Sequence, residues 1–154
     1  MHPTIKKLQF KDQGSALVLA SPASFAEEIA SLAEMTELDQ EPREASAYEF
    51  ALFFCENQAA IVHAATLIPE CLAEGGLLWM AYPKKSSKKY QSDIHRDSGW
   101  EPLGKLGYEG VRQVAIDADW WALGVGKTGH HKKNHPRARK DPGQEEEKTP
   151  PQTQ

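Results

Sequence analysis

Two neighbouring stretches carry the side chains whose types and spacing could do chemistry. The first is Lys84-Lys85-Ser86-Ser87-Lys88-Lys89, four ammonium groups and two hydroxyls in succession. It follows an apolar run, Leu77 to Ala81, that reads as a buried strand stopped by Pro83. A cationic loop beyond the carboxyl end of a central strand lies where open α/β sheets bind ligands, and its chemistry is that of a phosphate or sulfate site. The second stretch is Ser92-Asp93-Ile94-His95-Arg96-Asp97. Ser92-Asp93 reads as a helix start, which would bring free N–H groups to the same anion. The candidate anion-contacting residues are therefore Lys84, Lys85, Ser86, Ser87 and Ser92, with Asp93 and Arg96 as further candidates. The plain alternative is a solvated lysine loop, with Asp93 as a first-turn acid and Arg96 as its ion-pair partner. A His flanked by acids is not by itself an acid–base set, so no catalytic residue is assigned.

These residues need a frame to hold them. Ser15 to Ala20 reads as a buried first strand. Ser21 suits an N-cap and Pro22 the first position of a helix whose apolar face is Phe25, Ile29 and Leu32, ending near Glu34. Residues 35–47 are acidic, contain Pro42, and hold at most a short edge strand around Thr36-Glu37-Leu38. Tyr48 to Cys55, YEFALFFC, is apolar on both faces, as a central parallel strand should be. Asn57 suits the N-cap of a helix marked by Ile61, Ala64, Ala65 and Ile68. Pro69 to Ala73 reads as a second short helical piece, capped by Gly75-Gly76. Beyond the lysines a helix is expected from Ser92 to Leu106, split by Pro102 and capped by Gly107. Val111 to Ile116 and Trp120 to Val125 then form a hairpin across Asp117-Asp119, with one of Trp120 and Trp121 packed inward. Strands alternating with helices imply a mostly parallel sheet with helices on both faces and right-handed crossovers.

Charge divides the chain. Residues 1–126 hold 11 basic and 18 acidic side chains, whereas residues 127–140 hold six basic and no acidic ones. The tail from residue 127 onwards contains no Leu, Ile, Val or aromatic residue and is expected to be disordered. Its cations suit weak, nonspecific, salt-screened contact with nucleic acid through residues 127–140, with Glu145–Glu147 competing for them. His130, His131 and His135 lack a rigid frame, so no metal site is expected. Cys55 and Cys71 fall inside apolar segments and read as reduced, buried thiols, which favours the cytoplasm. The first ten residues have no apolar core of a signal peptide, and no run is long enough to span a membrane.

Several of these segments resemble a known group. ALVLASPASFAEEI, LLWMAYPKKSS, SDIHRD and VRQVAIDADWWAL are similar to segments of the bacterial domain-of-unknown-function family 3052, over about residues 8–126. The resemblance implies a Rossmann-like fold, an open three-layer α/β sheet related to that of S-adenosylmethionine-dependent methyltransferases. It implies no activity. In such folds a nucleotide cofactor sits over a glycine-rich turn after the first strand, and here that turn is Ala20-Ser21-Pro22-Ala23-Ser24. A carboxylate for a ribose would come from Glu37, Asp39 or Glu41. The missing glycines favour a binding or scaffold domain without a cofactor, whose lysine loop meets a small anionic ligand or a protein partner. The rival is a methyltransferase-like enzyme with a degenerate cofactor turn. It requires a partly apolar pocket between Ser21-Pro22 and Glu56-Asn57, and it would be excluded by a flat surface with Phe25 or Pro22 filling the gap. A third reading is nucleic-acid binding through the basic tail.

Overall fold

The fold was analysed in a computed structural model, which describes residues 1–44, 46–95 and 97–128. In chain order the elements are α1 (Pro3–Lys7), β1 (Ser15–Leu19), a 3₁₀ turn (Ala23–Phe25) leading into α2 (Ala26–Met35), β2 (Glu37–Asp39), β3 (Tyr48–Phe54), α3 (Gln58–Cys71), β4 (Leu72–Pro83), α4 (Glu101–Lys105), β5 (Tyr108–Ala115) and β6 (Trp120–Lys127). One six-stranded sheet runs in the order β2-β1-β3-β4-β6-β5. The first four strands are parallel, and β6 joins β4 antiparallel as half of the closing hairpin. This is the expected open α/β sheet with a hairpin at its edge.

Period-two alternation sorts the central strands between two helical layers. Tyr48, Ala51 and Phe53 of β3, with Leu78, Met80 and Tyr82 of β4, meet Ile61, Ala64 and Ile68 of α3 and Leu103 of α4. Phe50, Leu52 and Phe54, with Trp79 and Ala81, meet Ile5 of α1, Leu8 just after it, and Phe25 and Leu32 before and within α2. The two layers lie on opposite faces, so the connection leaving β1 and the connection leaving β3 depart in opposite directions.

Three local expectations are corrected. Pro69 does not begin a separate piece but lies inside α3, which runs on to Cys71. Proline there removes one helix bond, that to the Ala65 carbonyl, and the helix still continues for two more residues. Gly75 and Gly76 are not a helix cap: they sit in β4, where the pairing slips between Tyr48↔Leu72 and Phe50↔Leu77, and Gly75 takes the extra chain through φ +74°. The helix expected over Ser92–Leu106 is reduced to Glu101–Lys105, with Pro102 in its first turn. Upstream, Gly99 has φ +97°, and Asp93 is bound to the start of α3 rather than to its own segment. α1 has no clear signature in the sequence: it is capped by the His2 imidazole, whose Nδ1 accepts from the Thr4 N–H at 3.1 Å.

The acidic loop after β2 is tied down by one carboxylate. Asp39 accepts from the Tyr48 hydroxyl at 2.5 Å and from two Arg43 nitrogens at 3.1 Å. The Tyr48 hydroxyl, then Arg43, hold the Asp39 carboxyl below its ordinary value of 3.8. A depressed folded pKa contributes stability that is present above the unfolded value and lost as pH falls through the folded one, so this latch opens on the acid side of pH 4. Tyr48→Phe removes the largest cause and is expected to move the Asp39 titration upward in a carboxyl-carbon NMR titration. An unmoved Asp39 would show that the hydroxyl does not hold it.

None of the helices among the described residues is long and apolar enough to cross a membrane. Strand β6 extends to Lys127, and the Thr128 N–H reaches the Gly107 carbonyl at 2.7 Å, so the structured part passes residue 126. The expected disorder, the histidines 130, 131 and 135, and all but the start of the basic stretch lie outside the described residues.

Candidate functional site at the β1–β3 crevice

The sheet order places β2 on one side of β1 and β3 on the other, with crossover helices on opposite faces. Such a switch point leaves a crevice beyond the strand ends, the usual ligand position in open α/β sheets. A cleft of about 300 Å³ lies there, lined by Ala20, Pro22, Phe54, Glu56, Asn57, Ala60, Tyr90 and Trp120. Its volume is at the lower end for small-molecule sites.

Aromatic contacts build its wall. Phe54 meets Phe25 and Trp120 edge-on, each with ring centroids 5.0 Å apart, and Tyr90 leans on Trp120 at 4.9 Å. Phe25 is fully buried behind Phe54, so it supports the wall instead of filling the gap. Trp120 is the inward-packed member of its pair, and its buried indole N–H has no acceptor among the described residues. On the facing side Ala20 has φ +64°, a left-handed conformation that costs an alanine roughly 1–2 kcal/mol. The turn therefore keeps a backbone shape that glycine favours, although no glycine is present. Strained backbone of this kind concentrates at functional sites.

The start of α3 forms the rear of the cleft, and two of its first N–H groups are engaged by side chains. Asn57 Oδ1 accepts from the Ala60 N–H at 3.0 Å, which is the N-cap its sequence position suggests. Asp93 Oδ1 accepts from the Gln58 N–H at 2.8 Å, and the Gln58 side chain donates back to the Asp93 carbonyl at 2.6 Å. Asp93 is thus a helix cap reaching in from another segment. Ser21 makes no capping bond: Pro22 precedes the 3₁₀ turn, which has no side-chain cap. Asp39, at the end of β2, is committed to Tyr48 and Arg43 away from this cleft.

The lysine loop is ordered by the hairpin turn beside it. The Lys84 N–H donates to the Asp119 carbonyl at 2.7 Å and the Ser87 hydroxyl to the Asp119 carboxylate at 2.8 Å. Ser87 Oγ also accepts from the Lys89 and Tyr90 N–H groups at 3.1 and 3.2 Å. Ser92 Oγ accepts from the Ile94 N–H at 3.1 Å. The Ser87 hydroxyl is therefore spent as a donor within the protein, Ser92 serves as an acceptor, and Ser86 is exposed. Lys84 lies over the Trp121 ring at 4.5 Å, while Lys85, Lys88 and Lys89 are exposed. Arg96 lies outside the described residues.

The structure brings Lys84, Lys85, Ser86 and Ser87 together, and joins them through Tyr90 to the cleft that Asn57 lines. Ser87 and Ser92 do not line that cleft. Tyr90 and Phe54 were missed as lining residues. Tyr90 had a weak signal, a lone aromatic at the end of a lysine run. His63 is exposed on α3, and among the described residues no group of three or more His, Cys, Asp or Glu is arranged to hold a metal. Burial pushes the Cys55 thiol up to about 12 and raises that of Cys71, so both are chemically quiet.

No family model and no curated protein matches the sequence. Solved structures do match. The ribosomal protein L11 methylase of Lactobacillus delbrueckii subsp. bulgaricus is 11 % identical, with a TM-score of 0.50 over 81 % of this chain and 75 % of that one. An S-adenosylmethionine-dependent methyltransferase of Aquifex aeolicus is 12 % identical, TM-score 0.51, over 80 % and 88 %. The B. subtilis tRNA M1A22 methyltransferase is 12 % identical, TM-score 0.51, over 88 % and 70 %. At these identities the likeness is one of backbone: the chain has a Rossmann-like methyltransferase fold, six strands that are mostly parallel and end in an antiparallel hairpin.

Proposed function

We propose that the protein is methyltransferase-like in its ligand as well as its fold, and that the switch-point cleft holds an S-adenosyl nucleoside. The observation that carries this reading is the cleft, open between Ala20-Pro22 and Glu56-Asn57 where a flat surface would have excluded it. The lining suits the nucleoside end of such a ligand. A purine ring fits against Tyr90, Trp120 and Phe54, and the Glu56 carboxylate suits vicinal hydroxyls. The turn after β1 and the ribose contact differ from the usual pose, because Pro22 offers no N–H and Asp39, one of the ribose candidates, is engaged elsewhere. When bound, S-adenosylmethionine supplies an electrophilic methyl group; the chain's own residues bind and orient it and shield one face of the base from water. The similarity to family 3052 belongs to the same reading, as does a cytoplasmic location, which suits two free, buried thiols.

Calorimetric titration with S-adenosylhomocysteine, S-adenosylmethionine and adenosine tests this. Micromolar binding of at least one is expected, with Tyr90→Ala weakening it about tenfold, the worth of one stacked base. Absence of heat and of any thermal stabilisation with all three would overturn the reading in favour of a binding or scaffold domain.

A further inference from the structure

The lysine loop leads into the wall of this cleft at Tyr90, and its chemistry bears on what approaches the mouth. Its last residue, Tyr90, is part of the cleft wall, so Lys88 and Lys89 precede that wall directly in the chain. The loop is not a loose tether, since Asp119 grips it at Lys84 and Ser87. No ion pair joins Lys84, Lys85, Lys88 or Lys89 to a carboxylate among the described residues. The nearest acids of the hairpin turn are occupied: Asp119 by the Ser87 hydroxyl, and Asp117 by the N–H groups of Asp119 and Trp120 at 2.8 and 3.0 Å. Four cations without a carboxylate partner among the described residues, on a loop held by Asp119, thus stand out from a body with an excess of acids. A discrete small anion would need converging donors, and the Ser87 hydroxyl donates instead to Asp119. Four ammonium groups spread over six residues suit a spaced row of charges.

We infer that the rim formed by Lys84, Lys85, Lys88 and Lys89 draws a single-stranded nucleic acid to the mouth of the cleft. This rests on the ligand reading above and names the class of substrate that the same site would meet. A phosphodiester strand matches the rim through its repeating charge, and Trp121, with Lys84 over its ring, adds an aromatic edge beside it. An acidic protein segment would supply the charges but nothing flat for the aromatic wall.

The test uses the full chain, binding of a short labelled single-stranded RNA by fluorescence anisotropy, and a salt series. Lys85→Gln/Lys88→Gln/Lys89→Gln spares Lys84 and its Trp121 contact and changes only exposed side chains. It is expected to weaken RNA binding at least tenfold and to lower the salt slope by about 2, at about 0.7 for each phosphate no longer neutralised. A companion variant with Lys132, Lys133, Arg137, Arg139 and Lys140 changed to Gln separates the tail's contribution. Unchanged affinity and slope in the loop variant overturn the proposal, whether or not the tail variant loses binding. Equal competition by polyglutamate overturns it in favour of an acidic protein partner. Titration of the loop variant with S-adenosylhomocysteine keeps the two readings apart. Retained nucleoside binding with unaltered RNA binding sinks the rim alone, and RNA binding that depends on the loop in a protein that ignores the nucleoside sinks the ligand reading alone.

Discussion

Trp79→Ala is expected to cost about 3–5 kcal/mol, the range for removing a large aromatic from a packed core. The side chain is fully buried in the middle of β4, between the strand partners Leu52 and Gly124. Its indole N–H donates to the Leu8 carbonyl at 2.8 Å, so it also pins the segment after α1 onto the sheet. Truncation would leave a cavity and orphan that carbonyl, and the two penalties add. Against a total stability of about 5–15 kcal/mol typical of a domain, a large share of the fold's margin would go, and all of it at the low end of that range. Lys84→Ala in the same strand's exit loop provides the contrast. It removes a cation–π interaction with Trp121 worth about 0.5–1 kcal/mol and keeps the backbone bond to Asp119. Urea melts of the two variants measure the difference. A tolerated Trp79→Ala beside a collapsed Lys84→Ala would mean that the packing assigned to β4 is wrong.

Gly76→Ala is expected to be the most damaging of the single-methyl changes, at about 1–3 kcal/mol. A Cβ at Gly76 would stand 2.9 Å from the Ala73 carbonyl oxygen and 3.0 Å from that of Tyr48. Both obstacles are backbone, so the strand itself must move. The effect would reach beyond stability, because the slip at Gly75-Gly76 sets the register in which Phe54 pairs with Ala81 and Pro83 with Trp120. That register brings the lysine loop alongside the cleft. Gly104→Ala makes the useful comparison: a Cβ there meets nothing within 4 Å, inside a helix, where alanine is favoured over glycine by roughly 0.5–1 kcal/mol. Thermal melts that ranked Gly104→Ala below Gly76→Ala would refute the bulge as a point of close approach.

The fold class was legible in the sequence because it rests on periodicity. YEFALFF and LLWMA carry apolar side chains to both faces, a pattern imposed by burial between two helical layers, and no other chain context is needed to read it. Asn57 was legible for a similar reason, since an N-cap depends on residues within one turn of it. The lysine loop was also visible as charge. Where local signals misled, a distant partner was competing. Ser92-Asp93 has the form of a helix start, but the Asp93 carboxylate satisfies the Gln58 N–H, 35 residues away, and the helix forms only from Glu101. Gly75-Gly76 has the form of a cap, yet the pairing with β3 draws those residues into a strand.

By itself the sequence determined the order of strands and helices from β1 onward, the buried faces of β3 and β4, and the existence of a cationic segment after β4. These follow from side-chain pattern and local capping, which act over a few residues. The tertiary structure alone decided that a cleft exists. Its walls come from the ends of β1 and β3, from Tyr90 in the loop after β4 and from Trp120 at the start of β6, residues separated by up to 100 positions. It also decided that Ala20 keeps a left-handed turn without glycine, and that the Ser87 hydroxyl is held by Asp119 and not left for an anion. Such outcomes depend on which distant groups arrive at hydrogen-bond or contact distance, and no spacing along the chain encodes that.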